Sequence, residues 1–180
     1  RPWPRPWRAC WSRASCNRRL PRVQRRAVGH SGLAVSRLGL GTLTWGRETR
    51  LEDARALLRA FVDAGGSLVD TAAAYAAGDA ERMIGRMLRA GDVHRDDLVL
   101  ATKAGFGIRD GERVVDTSRA ALLSDLHGSL RRLGTDHVDL WQLHAWGQAP
   151  LEETLSALDQ AVHSGMARHV GICNFIGWQT

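Results

Sequence analysis

Lysine and tyrosine are almost missing from this chain of 180 residues. There is one of each, Tyr75 and Lys103, and every other permanent cation is an arginine. Cysteine is scarce and scattered: Cys10, Cys16 and Cys173 give neither a disulfide framework nor the spacing of a metal site. That usage suits a reducing, cytoplasmic setting. Long apolar runs are also missing. None approaches the roughly 18 residues needed to cross a bilayer, so the expectation is a soluble protein with no membrane partner. Acid is absent from residues 1–26, which hold nine arginines; by difference from the net +6, the other 154 residues carry −3. A basic tail on a mildly acidic body does not describe a nucleic-acid-binding domain, whose positive charge would lie on a folded face.

The opening RPWPRPWRACWSRASCNRRLPRVQRR has no hydrophobic period and no apolar core for a secretory signal. Residues 1–25 are expected to be a disordered Arg/Trp/Pro-rich extension, with the folded domain over 26–180. A targeting segment and a binding arm are the alternatives; the arm predicts salt-dependent nucleic-acid binding that vanishes when 1–25 are deleted. Arg26–Val28 and Leu33–Val35 read as a β-hairpin with Gly32 in its turn. A small-residue strand follows over Ser36–Thr42. Gly39 and Gly41 do not make a dinucleotide fingerprint, because position 44 is Thr and no helix opens behind them.

From there strands and helices alternate. Thr49-x-x-Glu52 reads as a capping box for a helix in which Leu51, Ala54, Leu57, Leu58, Phe61 and Val62 follow the helical period. A second helix starts near Asp79 and buries Met83, Ile84, Met87 and Leu88. Gly105–Asp116 reads as a polar loop. A third helix follows from about Thr117, with Leu122, Leu123, Leu126, Leu130 and Leu133 on one face and Arg131-Arg132 as a solvated end. A fourth opens at Pro150 with Leu151, Leu155, Leu158 and Val162 inward. Strands begin near 67, 98, 138 and 169, steps of one βαβ unit, which implies a parallel sheet with helices outside it. A doubly wound sheet and a (β/α)8 barrel both fit. A barrel places its chemistry where strands end. Asp70, Lys103, His144 and Asn174 all stand at strand ends, and Tyr75 lies five residues past one.

GLAVSRLGLGTLTWG, LVDTAAAY, LATKAG, VDLWQLHAW and VGICNFIGWQT, in this order and spacing, resemble the aldo-keto reductases. The resemblance runs from about Arg26 to the last residue. It implies an α/β chain of the (β/α)8 TIM-barrel type, truncated after the fifth strand, that uses NADPH, sometimes NADH, to reduce aldehydes and ketones. It places the catalytic tetrad on Asp70, Tyr75, Lys103 and His144. It assigns the cofactor to Gly41, Thr42, Asp70, Cys173 and Asn174, and the substrate pocket to Trp45 and Trp146. A small-molecule carbonyl substrate is implied as the partner.

The chemistry accounts for the residue types. Hydride arriving at a carbonyl carbon leaves charge on oxygen, which must take a proton. A phenol, with a pKa near 10, is a poor acid at neutral pH, and a neighbouring ammonium makes it a better donor. Asp70 can hold Lys103 in place, and His144 can orient the carbonyl. The Tyr-x3-Lys pattern of short-chain dehydrogenases is absent, since Tyr75 and Lys103 lie 28 residues apart. Departures from the family pattern are Ala76 after the tyrosine, Ala80 before Glu81, Cys173 in place of a serine, and the absence of the last three strands with their adenosine groove. The expectation is therefore weak or no NADPH binding by this chain alone. The alternative is a non-catalytic interaction protein of the same fold, as the potassium-channel β-subunits exemplify. Its mark would be loss of a tetrad residue, and none is lost.

Overall fold

The computed structural model describes residues 22–180, with Arg109 described by its backbone alone. Nearly all of the expected extension, with Cys10 and Cys16, lies outside the described residues. Val23 is already engaged: its N–H donates to Ala64 O at 2.9 Å. Strands β1 (Arg25–Ala27) and β2 (Ala34–Ser36) then form the expected antiparallel hairpin. Its turn is made differently from the expectation. Gly29, not Gly32, takes the left-handed backbone (φ 55°), and the Ser31 hydroxyl donates to Val28 O at 2.7 Å. Buried Ser36 ties the hairpin to the body, its Oγ accepting from the N–H groups of Ser67 and Leu68.

The remaining elements are β3 (Gly39–Gly41), α1 (Leu51–Asp63), β4 (Leu68–Asp70), α2 (Asp79–Arg89), β5 (Val99–Ala104), β6 (Phe106–Arg109), β7 (Glu112–Val115), α3 (Arg119–Leu133), β8 (Val138–Leu143), α4 (Leu151–His163) and β9 (Ala167–Ile172). The main sheet runs β3-β4-β5-β8-β9, every pair parallel. Spatial order follows chain order without a reversal. A doubly wound sheet needs a switch point where the order turns back, so this is the barrel arrangement.

The core lies between the sheet and its helices. Val69, Leu100, Val138 and Trp141 meet Leu58 of α1, Ile84 and Met87 of α2, and Leu122, Leu126 and Leu133 of α3. Truncating one such leucine to alanine costs about 2–5 kcal/mol, which is why these faces hold the helices in place. Of the apolar period read from α2 and α3, Met83, Ile84, Met87, Leu122, Leu126, Leu130 and Leu133 are buried, and Leu88 and Leu123 are partly buried. Helices α2 and α3 approach so closely at Gly85 that a methyl there would strike the backbone oxygens of Arg132 and Leu133.

Four local expectations are corrected. The capping box at Thr49 does not form: the Thr49 hydroxyl bonds Thr44 at 2.8 Å, and α1 starts from Arg50 without a side-chain cap. The stretch 105–116 is not a plain loop but holds the β6–β7 hairpin, turning through Asp110 and Gly111, both with positive φ. In α4 the buried residues are Thr154, Ala157, Leu158 and Ala161, whereas Leu151, Leu155 and Val162 are exposed. The face turned inward thus carries Leu158 among smaller side chains. Arg132, finally, is only partly solvated: its Nε donates to a carboxylate oxygen of buried Glu81 at 2.6 Å.

Candidate active site

Parallel strands deliver their C-terminal residues to one rim, and the register of this sheet brings the chosen residues together there. Asp70 closes β4, Lys103 is the penultimate residue of β5, and His144 follows the last residue of β8. Thr42, just past β3, donates both its N–H (3.0 Å) and its hydroxyl (3.1 Å) to Asp70 O. It is buried and holds the strand end, while a methyl built on neighbouring Gly41 would meet only open space.

Lys103 is the hub. Its side chain is buried, yet its ammonium has three partners: Asp70 Oδ2 at 2.7 Å, Thr71 O at 3.0 Å and Tyr75 Oη at 3.2 Å. An ammonium has three N–H groups and accepts nothing. All three are therefore engaged, and one of them ends on the phenol oxygen. The proton of Tyr75 must then point elsewhere. Burying an ammonium is costly unless it is paired, and the carboxylate of Asp70, itself 36% exposed, supplies the pairing charge.

The loop carrying Tyr75 is strained. Ala76 (φ 48°) and Ala77 (φ 52°) both take left-handed backbone before Gly78 (φ 89°), a conformation that costs roughly 1–2 kcal/mol for each residue with a Cβ. This follows from the departure noted above, alanine where the family pattern has glycine.

His144 stands edge-on to Tyr75, with ring centroids 5.8 Å apart, and edge-on to Phe106 at 5.1 Å. Burial, seconded by the positive charge of Lys103 and opposed by Asp70, lowers its pKa below the usual histidine value. The direction of that shift favours the neutral ring. Its buried Nδ1 has no hydrogen-bond partner among the described residues. Asn174 donates Nδ2–H to His144 O at 2.8 Å, and Cys173 N–H donates to Leu143 O, also at 2.8 Å. The two tryptophans separate: Trp45 is 2% exposed in the core, while Trp146 is partly open at the rim, edge-on to Phe175 and Trp178.

Two contributions were not anticipated from sequence. Phe106 reaches His144 because β6 leaves β5 through Gly105, at a positive φ of 82°. The Asp110-Gly111 dipeptide, a common two-residue hairpin turn, was the available signal. Glu81 is fully buried, accepting from Thr102 Oγ1 and Arg132 Nε, each at 2.6 Å. Its partners lie 21 and 51 residues away, and nothing in the local pattern pairs them.

The family model described as the aldo/keto reductase family matches residues 37–180, and the chain belongs to that family. It is 40% identical over 162 residues to L-glyceraldehyde 3-phosphate reductase of Escherichia coli K12, covering 87% of this chain and 47% of that protein. It is 37% identical over 151 residues to a rice protein (Oryza sativa subsp. japonica) described as a probable voltage-gated potassium channel subunit beta, covering 83% of this chain and 46% of that one. Among solved structures, the holo form of an aldo-keto reductase from Bacillus halodurans superposes with a TM-score of 0.76 at 34% identity, covering 85% of this chain and 51% of that chain. The chain thus spans about half the length of the curated relatives it matches.

Proposed function

We propose that this chain carries the catalytic half of an NADP(H)-dependent, cytoplasmic carbonyl reductase in which Tyr75 is the proton donor. The observation that carries the reading is the ammonium of Lys103, which donates to the phenol oxygen and so frees the phenol proton for another acceptor. The residues present fit a nicotinamide amide. Asn174 is exposed and its Oδ1 takes no hydrogen bond among the described residues, so an acceptor is available. Gly41 leaves space beside Asp70, and Cys173 offers a weak S–H donor where serine would offer a stronger one. Bound there, the cofactor supplies hydride.

The protein's own residues do the rest. Neutral His144 directs Nε2–H at the substrate carbonyl oxygen and polarises it. Tyr75 transfers its proton to that oxygen as negative charge develops. The phenolate left behind is stabilised by Lys103, which Asp70 and Thr71 O hold in register. Phe106 and Trp146 wall the rim and limit the access of water. The rice relative's name favours a second reading, an interaction subunit. All four tetrad residues are present and mutually in reach, which weighs for catalysis.

Tyr75→Phe tests the assignment. In a form of the protein that binds NADPH, aldehyde-dependent oxidation of NADPH is expected to be lost while cofactor binding, read by quenching of tryptophan fluorescence, is unchanged. Retained turnover would remove Tyr75 from the proton-donor role.

A further inference from the structure

We infer that Glu81 is a positioning residue for Tyr75, acting through a buried brace that joins β5, α2 and α3. This rests on the catalytic reading of Tyr75 and Lys103 given above. Glu81 lies in the first turn of α2, immediately after the strained turn that bears Tyr75. One of its carboxylate oxygens accepts from Thr102 Oγ1 at 2.6 Å, and Thr102 is the residue before Lys103. The other accepts from Arg132 Nε at 2.6 Å, and Arg132 also donates from Nη2 to Ser129 Oγ at 3.2 Å.

The guanidinium stem lies in a slot made by two glycines. A methyl on Gly78 would come within 2.6 Å of Arg132 Cδ, and one on Gly128 within 2.9 Å of Arg132 Nη1. Arg132 therefore presses on the last residue of the Tyr75 turn while it holds the carboxylate of the helix that follows.

The turn needs such a hold. Ala76 and Ala77 occupy left-handed backbone that an unconstrained chain would leave, and strain of this kind persists only where the surroundings over-determine it. One end of the turn is Tyr75 itself, bonded to Lys103. The other end is clamped by Glu81. Both ends thus refer to the same strand: Thr102 and Lys103 are adjacent in β5, their side chains serving opposite faces of the sheet. The brace fixes the distance from Tyr75 Oη to Lys103 Nζ without touching substrate or cofactor.

Because Tyr75 is the only tyrosine in the chain, the protein labelled with [ζ-13C]tyrosine gives a single resonance that reports the phenol's surroundings whether or not the chain turns over. Thr102→Val removes the arm to β5 with little change of shape and leaves the Glu81–Arg132 pair intact; Thr102→Ser keeps the hydroxyl. The expected result is a shifted or broadened Tyr75 signal in Thr102→Val, return to the native position in Thr102→Ser, and about tenfold lower kcat in the valine variant with KM for NADPH unchanged. Arg132→Met, which releases the other arm, is expected to move the signal in the same way. Arg55→Ala, which breaks a remote pair with Asp92, is expected to leave it in place. A native Tyr75 signal in folded Thr102→Val and Arg132→Met overturns the proposal, whatever happens to their melting temperatures. A shifted signal in a protein that reduces no carbonyl retains the brace and removes the reductase reading instead.

Discussion

Asn174 donates its side-chain amide to the backbone carbonyl of His144, 2.8 Å away. The contact joins the loop after β9 to the end of β8, and it ties the proposed amide acceptor of the cofactor to the residue proposed to orient the substrate. Asn174 also sits at φ 58°, where asparagine is tolerated better than most side chains. Asn174→Ala loses both the bond and that tolerance. The expected cost is about 1–2 kcal/mol in urea unfolding, with a larger loss in cofactor affinity than in stability. Asn174→Gly, which keeps the backbone conformation, is expected to recover part of the stability and none of the affinity.

Asp70→Asn leaves the buried ammonium of Lys103 without its carboxylate. Charge-assisted hydrogen bonds contribute about 1.5–3 kcal/mol, and the 36% exposure of the Asp70 side chain puts the expected loss at the low end. Turnover is expected to fall more than stability does, because the ammonium is then free to leave the phenol oxygen. Calorimetric melting together with aldehyde-dependent NADPH oxidation separates the two effects.

Ala76→Gly is expected to stabilise the protein. A Cβ in left-handed backbone costs roughly 1–2 kcal/mol, while glycine loses about 0.5–1 kcal/mol more conformational entropy on folding. The net gain expected in urea unfolding is about 0.5–1 kcal/mol. Should the variant unfold at lower urea than the parent, the strain assigned to the turn would be refuted.

The lowered pKa of His144 has a signed consequence for stability. Below the ordinary histidine pKa of about 6.5 the unfolded chain takes up a proton that the folded chain resists. The contribution of His144 is therefore fully present above about pH 6.5 and is lost as pH falls from there toward the lower folded value. Urea unfolding measured at about pH 7.5 and about pH 5.5 is expected to show a smaller drop in His144→Gln than in the parent. An identical drop in both would assign the acid sensitivity to other groups.

Much of this was legible in the chain itself. The repeat of strands and helices, the buried faces of α2 and α3, and the placing of Asp70, Lys103 and His144 at strand ends are local patterns, and the sheet follows them. The inward face of α4 was misread because hydrophobicity weights Leu151 and Leu155 over Ala157 and Ala161, whereas it is the two alanines that are buried. The β6–β7 hairpin was masked by its charged tip, around an Asp-Gly turn that was visible. The Glu81–Arg132 pair had no local sign at all: a charge at the start of one helix and a charge at the end of the next each look solvated until the helices are packed at Gly85.

The sheet order has a consequence for how such a site comes into being. Each strand of the sheet β3-β4-β5-β8-β9 pairs only with its sheet neighbours in chain order. On a ribosome, each of β4, β5, β8 and β9 therefore finds the sheet neighbour that precedes it already made. The centre is assembled in the order of translation: the carboxylate first, then the phenol, then the ammonium that joins them, then the imidazole. Of these groups the amide of Asn174 comes last, closing onto the four side chains proposed as the tetrad.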